Sequence, residues 1–100
     1  TPGDLEPVPA EKIISIQLCD VAEEPMEPLR TESLGHRLPP GKGYGDVFGM
    51  VRALAAKRVD PKVVTLEVIS NDLLGRGLDV AAATSYSAAR ELLAEVREGT

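Results

Sequence analysis

Glu67 is a lone carboxylate inside the apolar run Val63-Val64-Thr65-Leu66-Glu67-Val68-Ile69. Burying an ionised carboxylate among aliphatic side chains costs several kcal/mol unless it is paired, hydrogen-bonded or bound to a metal. Glu67 must therefore be compensated, or sit where its strand opens to a cleft. A second run, Ile13-Ile14-Ser15-Ile16-Gln17-Leu18-Cys19, carries an inserted amide at Gln17 and ends at Asp20. Two strands with polar groups at matching depth read as a site. A carboxylate there suits a cation or a proton in transit, and the amide suits a ligand oxygen or hydroxyl.

Two further candidates lie between these runs. Arg37 is equipped to clamp an anionic or polyhydroxyl ligand by paired hydrogen bonds. Its neighbour His36 is the only histidine, so a Ser-His-Asp triad within this chain would have to use it. No serine occupies a Gly-x-Ser-x-Gly elbow, which argues against nucleophilic hydrolysis. The run Gly41-Lys42-Gly43 invites a phosphate-loop reading that fails on spacing. Five residues separate Gly35 from Gly41, and no Ser or Thr follows Lys42. Each candidate also has a purely structural reading: Glu67 in a salt bridge to Arg37, Gln17 as a satisfied interior amide, Arg37 and His36 as solvated loop residues. Asp20 reads as a strand-end residue hydrogen-bonding the loop.

The elements that position these residues follow from periodicity. Strands are predicted over about 13–19 and 63–69, and helices over about 46–57 and 79–97. Asp46 is a plausible N-cap, with Val47, Met50, Val51 and Leu54 as one buried stripe. Asp79 is expected to cap the last helix, whose inner stripe reads Ala82, Tyr86, Ala89, Leu93 and Val96. Asn71 and Asp72 are expected to cap a short turn after the second strand. Asp60-Pro61 is a turn signal. A long loop from Asp20 to Gly45 contains Pro25, Pro28, Pro39 and Pro40 and an acidic start at Glu23, Glu24 and Glu27. A connection this long is expected to be functional or disordered. Alternating strands and helices with near-continuous apolar strands imply a parallel sheet covered by helices. Strand parity puts Ile14, Ile16, Leu18, Val64, Leu66 and Val68 on helix-facing sides. It puts Ser15, Gln17, Cys19, Thr65 and Glu67 on sides that turn polar toward the C-terminal end, as in barrel strands.

Bulk properties narrow the field. One hundred residues suffice for a single modest core, and 43% are hydrophobic but only 3% aromatic. A net charge of −5 argues against nucleic-acid binding, which needs a basic surface. No stretch reaches the ~20 apolar residues that span a bilayer, so no membrane partner is expected. Cys19, the only cysteine, is expected to be a small buried hydrophobe and fits a reducing cytoplasm. The chain opens at Thr1 in a Pro/Gly-rich segment, which suggests a piece of something longer.

Taken in order, Ile16-Gln17-Leu18-Cys19-Asp20, Arg37-Leu38-Pro39-Pro40-Gly41-Lys42-Gly43 and Leu66-Glu67-Val68 resemble the C-terminal end of the sugar phosphate isomerase/epimerase family. This is the xylose isomerase-like TIM barrel group. The resemblance runs from about Glu11 to Val96. It implies an α/β fold comprising the C-terminal βαβα portion, about a quarter, of a (β/α)8 barrel. It also implies a metal-dependent isomerase or epimerase of a small sugar, sugar phosphate or sugar acid. The divalent metal would be Mn²⁺ or Mg²⁺, with Zn²⁺ as an alternative. By the same resemblance Glu67 is a metal ligand and catalytic carboxylate, Gln17 stands where the family has a histidine ligand, and Arg37 contacts substrate. His36 is kept as a second substrate contact. The other carboxylate ligands would come from a remaining barrel segment or from other copies of the chain. The alternative is a noncatalytic carbohydrate- or partner-binding module with a degenerate metal site, which the Gln17 departure favours.

Overall fold

The computed structural model describes residues 1–24, 28–60 and 63–98. Pro25 and Glu27 of the long loop and Pro61 of the turn lie outside them. Strand β1 (Ser15–Leu18) and strand β2 (Val63–Leu66) pair in parallel. The register sets Ile16 beside Val64, Gln17 beside Thr65 and Leu18 beside Leu66. Paired residues of neighbouring strands share a face. Ile16, Leu18, Val64 and Leu66 therefore lie on one side of the sheet, and Gln17 and Thr65 on the other. Both strands are shorter than their apolar runs. Pairing continues one step beyond β2, where the Glu67 N–H donates to the Leu18 carbonyl at 3.1 Å.

Parallel strands need a long crossover, and here it carries two helices. The sequence leaves the first as loop, yet α1 (Leu29–Gly35) forms there. It fits between two punctuators: Pro28 at the N-cap and Gly35 at the last turn, with the helix formers Leu29, Arg30 and Glu32 between them. Gly35 is buried against Asn71, whose side-chain amide would lie 2.5 Å from any Cβ at that position. Helix α2 (Val47–Ala56) starts at Asp46, whose carboxylate accepts the Gly49 N–H at 3.0 Å. Its stripe of Val47, Met50, Val51 and Leu54 is half-buried throughout. The helix packs against the last helix of the chain and against a 3-10 turn at Pro2–Leu5. Lys57 at its C-terminal end donates to the Glu6 carbonyl at 3.0 Å.

After β2, a short α3 (Asn71–Gly75) precedes α4 (Leu78–Glu98). The cap of α3 is Ser70, which accepts the Leu73 N–H at 3.2 Å, rather than Asn71 or Asp72. Asp72 instead pairs with Arg76 at 2.7 Å. Helix α4 begins at Leu78, so Asp79 lies in its first turn, where a carboxylate suits the helix dipole. Its buried stripe is Ser85, Ala88, Ala89, Leu92 and Val96. The expected stripe shares only Ala89 and Val96 with it. Ala82 is exposed, Tyr86 is 59% exposed beneath the Arg90 guanidinium, and Leu93 also faces out. Both stripes obey helical spacing, and the larger apolar side chains did not decide between them. The small Ala88, with Leu92, lines the shallow seat of Pro40 and Gly41. The core comprises Leu18, Leu73 and the α4 residues Ala88, Ala89, Leu92 and Val96.

Candidate functional site

The C-terminal ends of β1 and β2 are stitched together by the segment His36-Arg37-Leu38. Leu38 and Asp20 exchange main-chain hydrogen bonds of 2.7 and 2.9 Å at the end of β1. The Arg37 N–H donates to the Ile69 carbonyl at 3.0 Å, and His36 bridges Ser70 beyond the end of β2. The chain leaving α1 thus crosses the rim of the sheet and delivers Arg37 to it.

Below that rim is an open cavity of about 320 Å³ lined by Gln17, Cys19, Ser33, Arg37, Glu67 and Ile69. Gln17 and Cys19 alternate along β1 and its tail, as Glu67 and Ile69 do beyond β2, so all four project from the polar face. Glu67 and Gln17 are exposed. The first alternative posed by the aliphatic run, a buried and compensated carboxylate, does not occur in this chain: Glu67 sits where the strand opens. Among the described residues nothing occupies its carboxylate by hydrogen bond or ion pair. A Glu67–Arg37 bridge is ruled out because Arg37 turns to α1. Its Nη2 donates to the Ser33 hydroxyl at 2.9 Å and its Nη1 lies 3.7 Å from the Glu32 carboxylate.

His36 does not join this cavity. It is exposed and lines a second depression with Leu38, Ser70, Leu73 and Thr84, which Arg37 also borders. Cys19, expected to be a buried hydrophobe, is half-buried on the cavity wall. Ser33 and Glu32 were missed because nothing in the loop sequence marks α1 as a support for Arg37. The four-residue step from Ser33 to Arg37 is a clue only once that helix is known.

Asp20 is buried and its carboxylate well bonded. Its side chain is 2% exposed. It accepts main-chain N–H bonds from Val21 at 2.8 Å, Gly41 at 3.1 Å, Gly43 at 3.0 Å and Gly45 at 2.8 Å. Four donors around one carboxylate compensate its burial. The alternating glycines follow from this cradle. A Cβ at Gly43 would overlap the Val21 carbonyl and lie 2.8 Å from Asp20, and one at Gly45 would lie 2.9 Å from Asp20. Gly41 needs its freedom for a φ of +81°. The N–H groups that could have cradled a phosphate are thus committed to Asp20. Lys42 points outward to Glu91 at 2.7 Å, and Glu91 raises the lysine pKa above its ordinary value.

The donor set falls short of a self-contained metal centre. Among the described residues no three of His, Cys, Asp and Glu converge. Gln17 and Glu67 offer oxygen donors, whereas a hard divalent cation takes six or more, several of them from protein or substrate. Also among the described residues, no helix is long and apolar enough to cross a membrane. Neither a protein-family model nor a curated protein sequence matches this chain.

Proposed function

We propose that the cavity at the ends of β1 and β2 is one part of the active site of an isomerase or epimerase. Its substrate would be a small sugar, sugar phosphate or sugar acid. The observation that carries this reading is the meeting of Gln17, Arg37 and Glu67 at one rim, with the Glu67 carboxylate left open to a ligand. The chemistry needs little more from the chain. The Glu67 carboxylate removes a proton from the carbon next to a substrate carbonyl, and the electron pair moves onto the carbonyl oxygen to give an enediolate. Return of that proton to the former carbonyl carbon, with the hydroxyl proton of the first carbon passing to the neighbouring oxyanion, completes isomerisation; delivery of a proton to the opposite face of the first carbon by a second acid, Glu67 keeping the one it removed, completes epimerisation. Arg37 donates hydrogen bonds to the oxygen that gains charge. The Gln17 amide holds a hydroxyl and fixes which carbon faces Glu67. Pocket volumes of this order are usual for small ligands.

In this reading the two strands are about a quarter of a (β/α)8 barrel. Further strands, from the rest of the chain or from other copies, cover the exposed face around Ser15, Gln17 and Thr65. A hard divalent cation, Mn²⁺ or Mg²⁺, would take the Gln17 and Glu67 oxygens and complete its shell from carboxylates on those strands. The short donor set favours a second reading, a noncatalytic carbohydrate-binding module. Metal analysis of the full-length protein, paired with ketose–aldose interconversion assays, separates the two. Stoichiometric Mn²⁺ or Mg²⁺ that is lost with turnover on Glu67→Gln supports the enzyme. Absence of both metal and turnover, with sugar binding intact, supports the module.

A further inference from the structure

We propose that Ser33 touches the substrate in this cavity: its hydroxyl, polarised by Arg37, donates a hydrogen bond to the oxygen that gains charge during the reaction. The inference rests on the reading of the cavity as a sugar isomerase or epimerase site, and it adds a second donor to the oxyanion end of that site.

Ser33 lies on α1 and shares the cavity wall with Gln17, Arg37 and Glu67. It is half-buried, so its hydroxyl is within reach of a ligand there. The Oγ accepts one N–H from Arg37 Nη2 at 2.9 Å. A hydroxyl also has a hydrogen of its own to give. Helical serines commonly spend it on the carbonyl four residues back, which here is that of Leu29. Among the described residues Ser33 makes no such bond, and the hydroxyl is joined to Arg37 alone. Its hydrogen is therefore uncommitted at the wall of the cavity. Accepting a bond from a guanidinium makes that O–H a stronger donor, because hydrogen bonds in a chain polarise one another. The two donor atoms are 2.9 Å apart, close enough for one oxygen to lie about 2.8 Å from both. Arg37 keeps further N–H groups for that oxygen after serving Ser33. A pair of donors aimed at one oxygen is the arrangement that stabilises an oxyanion. The lining charges of Arg37 and Glu67 cancel, so directed hydrogen bonds rather than net charge must hold the enediolate oxygen. The proton stays on Ser33 throughout.

The test measures binding of fructose and of arabinonohydroxamate, an analogue of the fructose enediolate, to the full-length protein. The variants are Ser33→Ala, Ser33→Thr, Arg37→Gln and the double variant of Ser33→Ala with Arg37→Gln. Alanine is the best helix former, so α1 should persist in Ser33→Ala. That variant should weaken the hydroxamate about tenfold or more, the scale of one hydrogen bond to a charged oxygen. Fructose, which has no such charge, should lose less than about threefold. Any chelation of a metal by the hydroxamate is common to all variants and cancels in the comparison. Ser33→Thr keeps the hydroxyl and should keep the wild-type ratio. On the Arg37→Gln background, Ser33→Ala should still weaken the hydroxamate more than about threefold, because the hydroxyl itself meets the ligand. Equal weakening of both ligands by Ser33→Ala, a Ser33→Thr ratio like that of Ser33→Ala, or no effect on the Arg37→Gln background overturns the proposal. Ser33 then serves only to prop Arg37, and the sugar-site reading stands. Binding of neither probe to wild type, or indifference of both to Arg37→Gln and Glu67→Gln, overturns the site reading and this proposal with it.

Discussion

The main-chain N–H of Arg37 donates to the carbonyl of Ile69 at 3.0 Å, tying the chain that leaves α1 to the tail of β2. One residue further on, Leu38 and Asp20 bind each other in both directions at the tail of β1. The rim of the sheet is therefore a fixed crosspiece, and Arg37 is held over the cavity from its backbone as well as from α1.

Replacing Arg37 by lysine keeps a charge but loses the planar fork that reaches Ser33 and Glu32 together. The expected result is a rise in KM with a smaller change in kcat, and a thermal midpoint within a few degrees of wild type. Steady-state kinetics beside a thermal melt checks this.

Asp20→Ala leaves the N–H groups of Val21, Gly41, Gly43 and Gly45 without their shared acceptor. The cost should be about 3–5 kcal/mol, in the range for breaking a buried, hydrogen-bonded charge. Asp20→Asn keeps the shape but turns one acceptor oxygen into a donor, so it should cost less, about 1–3 kcal/mol. Denaturant unfolding gives both values, and hydrogen exchange should show the Gly41–Gly45 amides losing protection first.

Gly43→Ala should destabilise by about 2–3 kcal/mol, because the added methyl overlaps main chain and the buried Asp20 rather than the end of a mobile side chain. Gly75→Ala is the control: its Cβ would meet nothing within 4 Å. Unfolding of the two variants side by side reads the difference.

The Lys42–Glu91 pair has a defined pH signature. Because Glu91 raises the Lys42 pKa, the pair's stabilisation is fully present below the ordinary lysine value of 10.5. It is lost as pH climbs through the higher folded value. Lys42→Met should therefore match wild type more closely at strongly alkaline pH than at neutral pH. The effect is small, since both groups are exposed and screened.

How far the sequence led depends on what kind of signal each element carried. The paired strands and α2 were legible, because an apolar run and an Asp46 cap are local patterns. The polar face was legible for the same reason: alternation along β1 and β2 put Gln17 and Glu67 on one side before any tertiary contact was known. Helix α1 was not, since prolines and glycines around it read as loop and its seven residues are too few for a periodic stripe. The inner face of α4 was misassigned because Tyr86 and Leu93 outweigh Ala88 and Ser85 on any hydropathy count, yet the neighbouring chain needed small residues. His36 and Arg37 were taken as a pair, but only Arg37 also reaches the cavity of Gln17 and Glu67. The cradle around Asp20 was half visible: Asp20 read as a strand-end residue hydrogen-bonding the loop, as it does, but that it takes the N–H groups of Gly41, Gly43 and Gly45 more than twenty residues on was not.

The most direct measurement is solvent hydrogen exchange into a ketose substrate by the full-length protein, comparing wild type with Glu67→Gln. An enediolate route with Glu67 as the base predicts deuterium from D₂O at the carbon beside the carbonyl, and a loss of about 10²- to 10⁴-fold in both exchange and turnover in the variant. Undiminished exchange and turnover in a folded Glu67→Gln protein would contradict the account.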